Sequence, residues 1–264
     1  MISEWTFENL TVPAPAAGVN DWNDEGVVRL DGFLANPAGQ QLMDAYMELW
    51  LRENSAGSLE PPWRETGGWP DPIPYMRHPE ILDLMEPFAD ILEATLGEPA
   101  GLHLNLTGWV TTTRDWHQDS YLNPPHVGDY YAAIWLALED IDPDSGPFQY
   151  VPGSHRWPQV TRERIREALD GYDGPDWPTR SETILTPAFE AELAKRKPEI
   201  VTYVPKRGDA LVWHGRLLHR GSRANVPGMP RRAIISHFSG VNHRQDMPRR
   251  AQHGRLTYFA LDSR

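Results

Sequence analysis

The stretch DYYAAIWLALEDIDPDSGPFQYVPGSH (129–155) decides the fold. It holds two short apolar runs, Tyr130–Leu138 and Pro147–Val151, parted by an acidic turn bearing Pro and Gly, which is how neighbouring β-strands read. The same texture recurs on both sides. Gly101–Val110 precedes it, and Ile200–Val204, Ala210–His214, Leu217–His219 and Arg231–Ser239 follow, each bounded by turn residues. Such a series predicts an antiparallel β-sandwich or barrel, a jelly roll (double-stranded β-helix). One interruption, about 160–198, contains TRERIREALD and TPAFEAELAKRK and reads as a helical insertion between strands. The expected fold class is mainly β with flanking α.

Before residue 100 the periodicity is helical. From Gln40 to Arg52, Leu42, Tyr46 and Leu49 share one face, with Met43, Met47 and Trp50 beside it. From Pro79 to Leu96 the apolar positions recur every three or four residues. Pro79 suits a first helical turn, Gly97 suits a C-terminal cap, and Pro87 predicts a kink or break. PAPAAG (13–18) reads as a flexible lead-in and Val27–Leu30 as a short strand. PPWRETGGWPDPIPY (61–75) is too rich in Pro and Gly for regular structure, which leaves a lid or pocket wall and a mere surface irregularity both open. The expected organisation is one domain over 1–264. It has a helical N-terminal part (about 1–99), a core (about 100–240) interrupted by the insertion, and a C-terminal tail (241–264).

Composition removes several classes of function. Lys and Arg number 25 against 37 Asp and Glu, a net charge of −12, which disfavours nucleic acid and anionic membrane as partners. The absence of cysteine excludes disulfides, thiolate metal sites and Cys nucleophiles. No apolar run approaches a membrane span, and MISEWTFENL lacks the regions of a signal peptide. A cytoplasmic protein, monomer or homodimer, acting on a small molecule is the expectation.

The chemistry centres on His117-Gln118-Asp119. In an extended chain residues two apart share a face, so this imidazole and carboxylate can grip one metal ion. His219, 102 residues downstream in GDALVWHGRLLHRGS, is the candidate third ligand. Two His and one carboxylate with open positions is the set used by non-haem Fe(II) oxygenases. Arg231 lies twelve residues after His219 and opens RRAIISHF, where Arg231, Ala233 and Ile235 alternate onto one face. An inward Arg there would make a carboxylate slot, to which Ser222 could add a hydroxyl. Spacing alone leaves an exposed Arg at a sheet edge equally open.

The segment SGPFQYVPGSH (145–155) resembles the Pro-Gly-Ser-His turn of the phytanoyl-CoA dioxygenase family, which are Fe(II)- and 2-oxoglutarate-dependent oxygenases. The order of the other signatures is similar too: WHQD at 116–119, Trp135 eighteen residues after the first His, RGD at 207–209, then the distal His and the Arg strand. The resemblance implies iron ligation by His117, Asp119 and His219. It implies a salt bridge from Arg231 to the distal carboxylate of 2-oxoglutarate, with Ser222, Trp135 and Asn105 also at the cosubstrate. It further implies consumption of O2, succinate and CO2 as co-products, hydroxylation of an unactivated C–H, and a benefit from ascorbate in vitro. Relatives that halogenate lack the carboxylate ligand, so Asp119 points to hydroxylation or another outcome of hydrogen abstraction. Where the family runs His-Gly-Ser, this chain has His219-Arg220-Gly221-Ser222. The nine-residue interval from Ser222 to Arg231 is kept, so a bulge at Arg220 is expected. Asn105 stands where relatives carry an apolar side chain.

Arg64, Trp69, Tyr75, Gln118 and His103 are the candidate substrate residues. His155, His214, His237, His243 and His253 read as packing or surface groups, and Arg244, Arg249, Arg250 and Arg255 as a solvated basic face. Two other functions remain on this evidence: a catalytically idle jelly-roll ligand-binding protein, and a cupin-type metalloenzyme that does not use 2-oxoglutarate.

Overall fold

The computed structural model describes residues 5–13, 22, 24–54, 75–76, 78–111, 113–172, 174 and 176–260. A short helix α1 (Phe7–Leu10) leads into β1 (Thr11–Val12), followed by β2 (Val27–Leu30) and α2 (Pro37–Asn54). The second helical stretch is divided as Pro87 predicts. α3 (Pro79–Met85) passes through a 3-10 turn at Glu86–Phe88 into α4 (Ala89–Leu96), which ends on Gly97 at a left-handed φ of 72°.

Then come β3 (Ala100–Gly108), β4 (Tyr131–Ala137), β5 (Phe148–Tyr150) and β6 (Gln159–Val160). Helices α5 (Arg162–Ala168) and α6 (Trp177–Arg196) occupy the interruption. They are followed by β7 (Val201–Tyr203), β8 (Ala210–His214), β9 (His219–Gly221) and β10 (Ala233–Gly240). The chain from 241 is not merely a tail: β11 (Arg250–His253) and β12 (Leu256–Phe259) form a hairpin that extends the main sheet beside β3.

The main sheet runs β11-β12-β3-β10-β4-β8-β2, and a smaller one runs β7-β5-β9. All pairings are antiparallel except β12 with β3. β4 explains why its sequence reads as an unbroken apolar run, since both faces are covered. Ile134 and Leu136 face the helices with Ile234, Phe238, Met43, Leu49 and Phe88. Ala133, Trp135 and Ala137 face the small sheet with Phe148, Tyr150 and Tyr203. Helices α1, α5 and α6 pack in a third cluster, on Trp116, Tyr121 and Leu218. The jelly roll thus has two covered sides, and the space between its sheets is where β9 meets the β3–β4 connection. Among the described residues no helix is long and apolar enough to cross a membrane.

Gly101, on β3, tests the docking of the C-terminal hairpin. A Cβ there would overlap the ring of Phe259, itself fully buried. Gly101→Ala should therefore cost about 1–3 kcal/mol, read as a lowered Tm; an unchanged Tm would mean the hairpin is not held against β3.

Candidate metal centre

His117 lies in the β3–β4 connection and His219 opens β9, and the two form an isolated antiparallel bridge. Each donates its N–H to the other's carbonyl at 3.0 Å, the reciprocal pair that puts facing side chains together. The two rings lie 4.2 Å apart between centroids. Asp119, two residues on, is fixed by its N–H donating to the Gly215 carbonyl at 2.9 Å. Its carboxylate spans the rings: Oδ1 is 3.8 Å from His117 Nε2 and Oδ2 is 3.8 Å from His219 Nε2. One ligand atom from each residue falls within 4.8 Å of the others, and all three residues are buried.

The donor atoms are prepared for a cation. His117 Nδ1 donates to the Asp115 carbonyl at 2.7 Å and His219 Nδ1 to the Leu217 carbonyl at 2.9 Å. A carbonyl can only accept, so the proton sits on Nδ1 and the Nε2 lone pair of each ring is free. Burial, reinforced by the Arg114 charge, holds the His117 pKa well below the usual histidine range; burial also lowers that of His219. Burial opposes ionisation of Asp119. His219, His237, Arg114 and a Trp213 Nε1–H bond to Oδ2 (3.0 Å) outweigh it, and its pKa is lowered. Two neutral imidazoles and one carboxylate are what a divalent ion requires.

Across the same cavity lies Arg231. Its side chain is 2% exposed, Nη1 donates to the Gly146 carbonyl at 2.8 Å, and Nε has no partner. Burial lowers its pKa to about 10, so it remains charged at neutral pH. Among the described residues no carboxylate lies within ion-pair distance of it. A buried cation without an anion is costly, and here it faces a metal-ligand set. Between a three-ligand site and an unmatched guanidinium, a metal chelated by a short diacid fits both ends.

The other expected residues divide. Trp135 lines the cavity, with Nε1 buried and unpartnered. Ser222 does not line it. There is no bulge at Arg220: β9 pairs regularly with β5, Tyr150 to His219, Gln149 to Arg220 and Phe148 to Gly221. With a period of two, the extra residue puts Gly221 on the inner face, and Ser222 donates to the Pro147 carbonyl at 2.8 Å instead. Asn105 also faces away. It accepts from Ser236 Oγ at 2.7 Å and donates to the Tyr46 hydroxyl at 3.4 Å on the helix side of β3, while Leu106 lines the cavity.

His103 breaks the simple alternation because the β3–β10 register slips between His237 and Phe238, pairing Leu104 and then Leu102 with them. The extra residue, His103, lies beside Tyr131 and His237, at 5.8 and 6.4 Å between ring centroids. Gln118 is buried away from the cavity, donating to the Arg216 carbonyl at 2.6 Å. Tyr75 is packed with Tyr258 and donates to the Phe259 carbonyl at 2.6 Å, in the helix-side core and not at the cavity. Arg64 and Trp69 lie outside the described residues. The basic face is partly internal: Arg244 is buried and paired with Asp246, and Arg255 bonds Glu86 and Asp90.

Among the cavity residues that the sequence does not single out, three carry polar groups: Arg114, Trp213 and His237. His237 sits six residues after Arg231 and on its face, so the alternation itself carried the signal. Nothing in the sequence marks Arg114.

A family model described as Phytanoyl-CoA dioxygenase (PhyH) matches residues 22–233. The chain belongs to the phytanoyl-CoA dioxygenase family. The peroxisomal phytanoyl-CoA dioxygenase of Bos taurus is 25% identical over 136 residues, 52% of this chain and 36% of that protein. Phytanoyl-CoA dioxygenase 1 of Oryza sativa subsp. japonica is 31% identical over 125 residues, 46% of this chain and 37% of the relative. The match thus spans little more than a third of these relatives' length. Among solved structures, EctD from S. alaskensis with bound Fe gives a TM-score of 0.59 at 18% identity, covering 90% of this chain and 84% of that one. The epimerase SnoN in complex with Fe3+, alpha ketoglutarate and nogalamycin RO gives 0.58 at 20%, covering 82% and 80%. At such identities the likeness establishes the shared jelly-roll fold.

Within this family member, Trp213 is the group whose indole orients the Asp119 carboxylate. Trp213→Phe should weaken Mn(II) binding by about 10- to 100-fold, measured by titration calorimetry; unchanged affinity would mean that this bond does not support Asp119.

Proposed function

We propose that the chain is an Fe(II)- and 2-oxoglutarate-dependent dioxygenase that hydroxylates an unactivated C–H of a small organic substrate. The observation that carries this reading is the pairing in one buried cavity of the His117–Asp119–His219 set with the unmatched guanidinium of Arg231. His117 and His219 would hold ferrous iron through Nε2, and Asp119 through a carboxylate oxygen. Arg231 would take the distal carboxylate of 2-oxoglutarate beside the Trp135 indole. Bound there, iron and the 2-oxo acid supply oxidising power from O2, with succinate and CO2 as co-products.

The protein's part is positional. The reciprocal backbone pair fixes the imidazoles, Trp213 fixes the carboxylate, and Phe148, Leu106 and Ile235 keep the cavity largely apolar. Family membership supports the reaction type, and a carboxylate at the Asp119 position supports hydroxylation. A metalloenzyme without a 2-oxo acid would leave Arg231 buried with nothing to neutralise it. The same reading takes the chain as one oxygenase domain in the cytoplasm, monomer or homodimer, with no nucleic-acid or membrane partner.

Succinate release under Fe(II), O2 and ascorbate, across a panel of small organic molecules, tests the reading. His117→Ala and Asp119→Ala should each abolish iron-dependent succinate formation, because two ligands do not retain Fe(II). Activity in either variant would end the assignment. Arg231→Ala should raise the 2-oxoglutarate requirement by about 30- to 150-fold, the equivalent of losing a charge-assisted contact worth about 2–3 kcal/mol. Arg232→Ala, whose side chain pairs with Glu139 outside the cavity, should leave that requirement unchanged. The reverse pattern would place the cosubstrate elsewhere.

A further inference from the structure

One more cation reaches the cavity. Arg114 lines it beside His117 and Asp119, and it also lines the open cleft formed with Asp115, Glu182 and Thr183. It is the residue common to the metal cavity and that cleft. Its backbone is fixed: the Arg114 carbonyl accepts from the Gly221 N–H at 3.0 Å. Thr113, just before it, holds a left-handed φ of 48°, a conformation β-branched residues avoid, with its N–H on Thr111 Oγ1 at 3.3 Å. The guanidinium donates from Nε and Nη2 to one oxygen of Glu182, at 3.1 and 2.7 Å, and Nη1 has no partner among the described residues. The two side chains are 31% and 34% exposed, so the fork can be reached from the cleft.

Charge matching gives the pair a purpose. Under the proposed function, a ferrous ion, Asp119, the two carboxylates of 2-oxoglutarate and Arg231 neutralise one another. Arg114 is then the surplus cation of the cavity, met by Glu182 from α6. We infer that Arg114 anchors a carboxylate of the primary substrate, and that Glu182 fills the guanidinium fork until the substrate displaces it. This rests on the oxygenase reading. A singly charged acid suits the place, because Asp115 and Glu182 repel a polyanion such as a phosphate ester. The described walls of the cleft are threonine and acid with one proline, which favours a small polar acid, amino acids included, over a long acyl chain. An ammonium on the same molecule would meet the displaced Glu182 carboxylate.

The test uses the full chain loaded with Mn(II) and saturating 2-oxoglutarate, with matched probes differing only in charge. These are free L-leucine, 4-methylpentanoate and isoamylamine, and free L-phenylalanine, 3-phenylpropanoate and phenethylamine. Paramagnetic relaxation of the probe protons by Mn(II) reports nearness to the metal without turnover. The acids and amino acids should be relaxed and the amines not. Arg114→Gln should weaken acid binding about tenfold or more, Arg114→Lys should restore part of it, and Glu182→Gln should tighten it. Opposite signs at the two positions are what a merely structural ion pair would not give. With Mn(II) bound, equal relaxation by amines, no relaxation by any acid, or an Arg114→Gln variant that matches the wild type would overturn the inference alone. Failure of Mn(II) itself to bind, read from water proton relaxation, would overturn the oxygenase reading and the inference with it.

Discussion

The centre depends on one pair of backbone hydrogen bonds, those exchanged between His117 and His219. Their residues are 102 positions apart, and neither lies deep in a long strand. The reciprocal pairing makes them directly opposed, so both imidazoles leave the backbone on the same side, and Asp119 at the next inward position closes the set. Everything around this pair holds it in register. β9 is pinned on its other side by β5, Asp119 by Gly215, and the carboxylate by the indole of Trp213. A one-residue slip of β9 would turn His219 outward and leave two ligands, which is why a three-residue strand here carries so much consequence.

The second constraint is electrostatic. A buried cavity between two sheets is a poor place for a guanidinium, yet Arg231 lies there without a carboxylate partner among the described residues. The protein keeps the charge by giving Nη1 one carbonyl, that of Gly146, and leaves Nε open. Gly221 takes the inner position that Ser222 would otherwise hold, so the wall beside Arg231 carries no side chain. The site thus sets three side chains that could hold a metal ion opposite an unmatched cation, with Arg114 and Glu182 as a second, more exposed charge pair towards the open cleft.

Much of this is legible in the amino-acid sequence. Turn-bounded apolar runs mark β2 to β5 and β7 to β10 but not the β11–β12 hairpin, Pro87 marks the break between α3 and α4, and the His-x-Asp spacing with a distal His and an Arg strand marks the two ends of the cavity. What escaped follows from one property of strands: a single extra residue reverses every side chain beyond it. Arg220 reverses Ser222, and the slip in β3 at His103 sets that imidazole apart from Asn105, two residues on. Tyr75 misled for another reason, since an aromatic residue at the edge of a Pro-rich loop is as well suited to the helix-side core as to a pocket wall. Arg114 could not be found because its role depends on α6, whose Glu182 is 68 residues away in sequence.

The most direct measurement is an anaerobic titration, first with Fe(II) and then with 2-oxoglutarate, following the visible charge-transfer absorption that a 2-oxo acid gives when it chelates ferrous iron. The account predicts a band that saturates at one iron and one 2-oxoglutarate per chain. A protein that binds iron but develops no band with 2-oxoglutarate would contradict it.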